Sequence, residues 1–281
     1  MKKGEIKLTI LVDNSADENL SVEHGFSLWI ETASQRILFD TGQGTALSEN
    51  ACALECDLSQ ADMLVLSHGH YDHTGGVPHV LNVNPKIPVY CHAGAFLPRY
   101  SINTEAGVKL ISMPQQSRAA LMGLPSGQIH WVAEPQLIQP DIGISGPIPR
   151  PHGFEDTGGP FFLDQDGHRP DLLDDDQALW IHTDRGLVII VGCCHSGLLN
   201  TVEHIRRVSG IDRIRGIVGG LHLHNASVQR LEKTYRAIAD WDVEFLVPCH
   251  CTGKDVVSSL LDTFGDKVQQ GRGGLTLVIG R

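Results

Sequence analysis

Apolar and polar residues alternate along IKLTILVDN, residues 6–14, and two further runs, GFSLWIET and QRILFDTG, follow after short polar stretches. A period of two places one side of each segment in a core, so these segments predict neighbouring strands. The third ends on Asp-Thr-Gly, a turn signal. Residues 45–56 predict a helix. ADMLVLS, residues 61–67, is an unbroken apolar run, the pattern of a strand buried on both faces. A helix is expected to begin within 74–82, and IPVYCH at 87–92 reads as another strand.

From about 98 to 175 the chain is proline-rich and irregular, with strand-like IHWVAE and, just beyond it, ALWIHT. It predicts short strands joined by long loops, and the acidic run DLLDDD at 171–176 reads as a solvated turn. Regularity then returns. GLVIIVG, IRGIVGGLHL, VEFLVPCHC and LTLVIG read as strands. GLLNTVEHIRRV, SVQRLEKTYRAIADW and DVVSSLLDTFG have helical spacing. Two β-rich halves with helices outside predict an α+β fold, an αββα sandwich forming one domain over residues 1–281.

The densest chemistry lies just past the apolar run, where His68, His70, Asp72 and His73 fall within six positions. In extended backbone, residues two apart face one side, so His68 and His70 can share a cation. Asp72 and His73 follow as the chain turns and point elsewhere. One stretch can therefore serve two adjacent ions. Imidazole with a carboxylate suits zinc, and also iron, manganese or nickel. His195 and His250 each sit just past the end of an apolar strand and are further candidate ligands. His222 is a ligand, an orienting group or a substrate contact. Cys249 and Cys251 flank His250, and a period of two points both away from it, so both read as packing thiols. Arg150 and Lys254 are candidate anion contacts. The glycine pairs lack the spacing of a dinucleotide or phosphate-binding loop.

The formal net charge of −11 argues against a surface that tracks phosphates, which needs clustered Lys and Arg. The expected partner is a small molecule, not nucleic acid. No apolar stretch is long enough to span a membrane. The opening MKKGEIKLTILVDN is too short and too alternating for a secretory signal. With seven cysteines, an odd number, it points to reduced thiols and the cytoplasm.

Taken in order, EHGFSLWIE, LFDTG, LSHGHYDHTGG, VGCCHSGLLN, GGLHL and VPCHCTG resemble the metallo-β-lactamase superfamily. Within it they resemble the subgroup of 7,8-dihydropterin-6-yl-methyl-4-(β-D-ribofuranosyl)aminobenzene-5′-phosphate synthase-like metal-dependent hydrolases. The resemblance covers nearly the whole chain. It implies two divalent ions, zinc first, and a metal-bound hydroxide that attacks an ester-like or phosphoester-like bond. The substrate would be a small molecule, pterin- or ribotide-phosphate related, and the subgroup's name also implies a condensation. Asp72 would be both a ligand and the group that orients the nucleophile. Asp40 would support the metal loop from beneath, and His250 matches the superfamily's late histidine ligand.

The chain also departs from the wider pattern. QPDIGISGPIPR has no histidine where many members carry one, and VGCC has no aspartate where many carry a bridging one. Cys193 could bridge as a thiolate and His195 could replace the missing histidine. His195 ranks first, because a hard hydroxide pairs less readily with a soft thiolate. Three rival functions carry their own marks. A nuclease would want a basic surface. An iron enzyme handling oxygen or sulfur would show visible absorption. A metal-stabilised binding module would keep its activity without His68.

Overall fold

The computed structural model describes residues 5–105 and 107–280; the lysine-bearing start of the opening segment, residues 1–4, lies outside them. The strands and helices run β1 (Glu5–Val12), β2 (Ser27–Glu31), β3 (Arg36–Phe39), α1 (Leu47–Ala53), β4 (Met63–Val65), α2 (Tyr71–Thr74), α3 (Val77–Val83) and β5 (Val89–Cys91). Next come β6 (Tyr100–Asn103), β7 (Gly107–Leu110), α4 (Gln115–Met122), β8 (Ile129–Trp131), β9 (Gln136–Gln139), β10 (Ile142–Ile144) and β11 (Phe161–Phe162). The last part holds β12 (Leu179–Thr183), β13 (Gly186–Val191), α5 (Leu198–Ser209), β14 (Ile214–Gly220), α6 (Val228–Trp241), β15 (Phe245–Cys249), α7 (Lys254–Phe264) and β16 (Thr276–Gly280). The chain forms two compact units. The first takes residues up to Pro98, Ile111–Trp131 and the segment from Gly271; the second takes Arg99–Leu110 and Val132–Gln270.

The first unit is built on a seven-stranded sheet in the order β16-β1-β2-β3-β4-β5-β8. β16 through β3 are antiparallel. From β3 to β8 the strands are parallel, which requires crossovers. α1 and α3 lie in those crossovers, and with α4 they cover one face of the sheet. Leu47, Ala51, Val77, Val80 and Leu121 pack there on Trp29, Leu38, Leu64, Leu66 and Val89. The alternate residues Leu8, Leu28, Ile30, Ile37, Phe39 and Val65 are buried as well. This two-sided burial explains why the run before Ser67 is continuously apolar. α4 is a helix within the stretch expected to hold only strands and loops. Its apolar residues are confined to its last half, so no amphipathic period announces it.

The second unit carries a six-stranded sheet, β15-β14-β13-β12-β10-β9, and a three-stranded one, β11-β6-β7. β13, β14 and β15 are parallel, so the loops after them leave the same sheet edge. Leu198, Val202, Ile205, Ile238, Val256 and Leu260 of α5, α6 and α7 pack on Trp180, Leu187, Ile189, Val191, Ile217 and Leu246. α6 begins where Ser227 caps it, its hydroxyl accepting from the Arg230 amide at 3.2 Å.

The acidic run is a correction to the expected solvated turn, because Asp171, Asp175 and Asp176 are buried. Arg99 is buried too. It donates from Nε to Asp171 at 2.7 Å and from Nη1 to Asp175 at 2.9 Å. Asp176 accepts from the Ser196 amide at 2.7 Å. A buried guanidinium must be paired, and the run supplies its counter-charges. No helix among the described residues is long and apolar enough to cross a membrane.

Candidate metal centre

In the first unit, β3 and β4 are parallel neighbours, so Asp40 and the histidine loop emerge side by side at their C-terminal ends. The two loops are stitched together. Thr41 donates from its amide and its hydroxyl to the His73 carbonyl, at 2.8 and 3.0 Å. The Gly76 amide donates back to the Thr41 hydroxyl at 3.1 Å. Glu23 fixes the chain beyond, its carboxylate accepting from the amides of Gln43, Gly44, Thr45 and Ala46.

His68, His70, Asp72 and His73 are all buried. Asp40 sits beneath them, itself buried and held at a φ of 58°. Its Oδ2 accepts from His73 Nδ1 at 2.7 Å and from the Ser67 hydroxyl at 2.6 Å; its Oδ1 accepts from the Ser67 amide at 2.7 Å. Since the Ser67 hydroxyl gives its proton to Asp40, it can only accept from His68 Nδ1, 2.9 Å away. One carboxylate therefore sets two tautomers. His73 and His68 both keep the proton on Nδ1 and carry the lone pair on Nε2.

This arrangement fits a divalent ion. His68 Nε2 and His70 Nδ1 are 2.9 Å apart. Two imidazole nitrogens at about 2.0–2.1 Å from one ion stand about 2.9–3.4 Å apart. Asp72 and His73 lie on the short helix α2, with His70 at its N-cap and the Thr74 hydroxyl donating to the His70 carbonyl at 2.7 Å. Asp72 also meets His24, whose Nε2 is 3.0 Å from its Oδ2. His24 is not among the candidates named from the sequence. Its one signal was its place in EHGF, next to Glu23.

In the second unit the parallel strands bring Cys193, His195, His222, His250 and Cys251 to one edge. Donor atoms of Cys193, His195 and His222 lie within 4.8 Å of one another, as do those of Cys193, His250 and Cys251. His195 donates from Nδ1 to the Thr157 carbonyl at 2.8 Å, which leaves the lone pair on Nε2. Its ring lies 4.5 Å from that of His222, and Phe161 meets both edge-on. Cys194, His222 and His250 all have positive φ, a conformation seldom seen outside glycine and concentrated at functional sites.

Cys251 departs from the expectation that it points away from His250. His250 opens a short 3₁₀ turn at a φ of 48°, so strand alternation ends there and the next side chain returns toward Cys193. Gly220 makes room, since a Cβ there would come within 2.6 Å of Cys251 Sγ. Cys249, still on the strand, donates its thiol to the Val247 carbonyl and stays a packing residue. Burial pushes the Cys251 thiol up, but its contact with Cys193 and the charges of His222 and His250 outweigh that and hold it well below its ordinary value. Burial pulls His222 down, and Cys251 more than compensates, raising it. The Cys194 thiol is pushed well up by burial.

The remaining candidates lie at the margins. Arg150 donates to the His195 carbonyl at 2.8 Å and also to the Leu172 carbonyl, bracing the loop that carries His195. Lys254 is exposed at the start of α7.

The model of the metallo-β-lactamase superfamily matches residues 20–250, and the chain belongs to that superfamily. Its fold is the α+β fold of that family of metal-dependent enzymes. Among relatives, an uncharacterized protein of Methanocaldococcus jannaschii is 35% identical, over 90% of this chain and 93% of its own length. From the same organism, 7,8-dihydropterin-6-methyl-4-(β-D-ribofuranosyl)-aminobenzene-5′-phosphate synthase is 29% identical, over 96% of this chain and 95% of its own. Among solved structures, Tm1679, a metal-dependent hydrolase of the β-lactamase superfamily, superposes with a TM-score of 0.83 at 30% identity. That match covers 98% of this chain and all of the other.

Proposed function

We propose that the protein is a metal-dependent hydrolase acting on an ester-like or phosphoester-like bond of a small molecule. Two divalent ions, zinc first, are its cofactors, held by His68, His70, Asp72, His73, His195 and His250. The observation that carries this reading is Asp40, which fixes the tautomers of His68 and His73 so that both present Nε2. Such outer partners of histidine ligands are characteristic of metal centres. When bound, the ions supply Lewis acidity and a hydroxide at neutral pH.

The chain's own residues then divide the remaining tasks. Asp72 is a ligand and orients the nucleophile, with His24 against its Oδ2. His222 lies against His195 and serves the substrate or the ion. Arg150 and Lys254 remain the proposed anion contacts, Arg150 through the part of its guanidinium that does not brace the His195 loop. The similarity to the pterin-ribotide synthase, over nearly its full length, supports a phosphate-bearing substrate of the pterin or ribotide class. That similarity also favours a second reading, in which the site catalyses condensation instead of hydrolysis. The seven cysteines, an odd number, support a reducing cytoplasmic setting.

The test is metal analysis of protein purified without chelators, followed by assay on chromogenic phosphodiesters, phosphomonoesters and carboxylic esters. Bound zinc and a hydrolysis rate abolished by His68→Ala are expected. Protein that holds no divalent ion and does not take one up would sink the reading. Metal-loaded protein inert on all three ester classes would shift it to the condensation.

A further inference from the structure

The second unit places two sulfur atoms among its imidazoles, and its five donors form two triads that share Cys193. Among the described cysteines, those near the site fall into two kinds. Cys194 lies against the Thr201 hydroxyl at 3.5 Å, and Cys249 against the Val247 carbonyl at 3.3 Å; both are packed into the sheet and its helices. Cys193 and Cys251 instead converge with His195, His222 and His250. Two local features place Cys251 there: the positive φ of His250, which ends the strand's alternation, and the missing Cβ of Gly220, which leaves space for the sulfur.

We infer that Cys193 and Cys251 are thiolate ligands of the metal centre, with Cys193 shared between the two triads and Cys251 terminal beside His250. This deepens the metal-dependent reading above and rests on it. Zinc bonds thiolate at about 2.3 Å and imidazole at about 2.0–2.1 Å, so donors around one tetrahedral ion stand about 3.3–3.8 Å apart. Donors already within 4.8 Å of one another need to close by about 1.5 Å or less. As each metal–sulfur bond forms, the thiol releases its proton to solvent, so the two sulfurs together offset the charge of one divalent ion. Two thiolates among the imidazoles soften the site. Thiolate donors select zinc, iron(II) or cobalt(II) over manganese or magnesium. The centre's metal choice is thereby narrower than a histidine–carboxylate site would make it.

The experiment strips the full-length protein of metal, reconstitutes it with cobalt(II), and records the near-ultraviolet spectrum alongside bound cobalt per chain. An intense thiolate-to-cobalt charge-transfer band is expected for the wild type. Cys251→Ala should lose part of that band and weaken zinc binding about tenfold or more. The Cys193→Ala, Cys251→Ala double variant should lose the band entirely, and the packing control Cys249→Ala should keep it. Cobalt bound without the band in the wild type overturns thiolate ligation and leaves the metal-dependent reading standing. A wild type that binds no cobalt or zinc removes both. A band that survives the double variant also overturns the inference. The wild-type spectrum is decisive even if a variant fails to fold.

Discussion

Asp40 shows how much one side chain can organise. It faces no solvent, holds a φ of 58°, and spends both oxygens on His73 and Ser67. A carboxylate accepts only, which is why it can demand the Nδ1–H tautomer from His73 and, through Ser67, from His68. Asp40→Asn is the sharpest probe, because asparagine tolerates positive φ and preserves the shape. Its NH₂ must face either His73 and the Ser67 hydroxyl, which turns both histidines from the Nδ1–H tautomer, or the Ser67 amide, which loses its acceptor and loosens the histidine loop. Metal affinity should fall about 10–100-fold, as for other lost partners of histidine ligands. Zinc titration against a chromophoric chelator reads this, with circular dichroism to confirm the fold. Unchanged affinity would mean that Asp40 is only a packing residue.

At the scale of elements, strands with strong apolar runs were legible in the sequence, and so were the helices with a clear period. The runs before Ser67, Gly192 and Cys249 appear as β4, β13 and β15, and the ligand candidates follow their ends. What stayed hidden was set by tertiary contacts. α4 has no amphipathic stripe to announce it. Cys251 depends on one backbone angle at His250, and His24 reaches Asp72 from a distant loop. The acidic run is the clearest case, because its burial is dictated by Arg99 some seventy residues earlier. Arg99 opens the β6–β7 hairpin, and Asp171 and Asp175 hold it there through charge-assisted bonds. Arg99→Met would leave two carboxylates buried without their partner and should cost about 3–5 kcal/mol. Urea unfolding would report this as a lower midpoint. Arg99→Lys should recover little, since an ammonium cannot span both carboxylates as a guanidinium fork does. A loss below about 1 kcal/mol for Arg99→Met would show that the cluster is solvated and energetically ordinary.

For the molecule as a whole, the family match from residue 20 to 250 runs through both compact units, so the two belong to a single family pattern. That supports the proposal that residues 1–281 act as one domain. The proposed metal binding makes the idea testable through the unfolding of the whole chain. An ion that binds only the native arrangement stabilises it by mass action, about 2.7 kcal/mol at a free concentration a hundred times its dissociation constant. In a chain of this size each kcal/mol moves the melting temperature by about 2–4 °C, so zinc at that level should raise it by about 5–10 °C over chelated protein. If the chain unfolds as one domain, the gain must fall on the whole chain. Calorimetry should then show one endotherm that shifts intact when zinc replaces chelator. Two endotherms, of which zinc moves only one, would mean that a single unit holds the metal and that the chain is two domains.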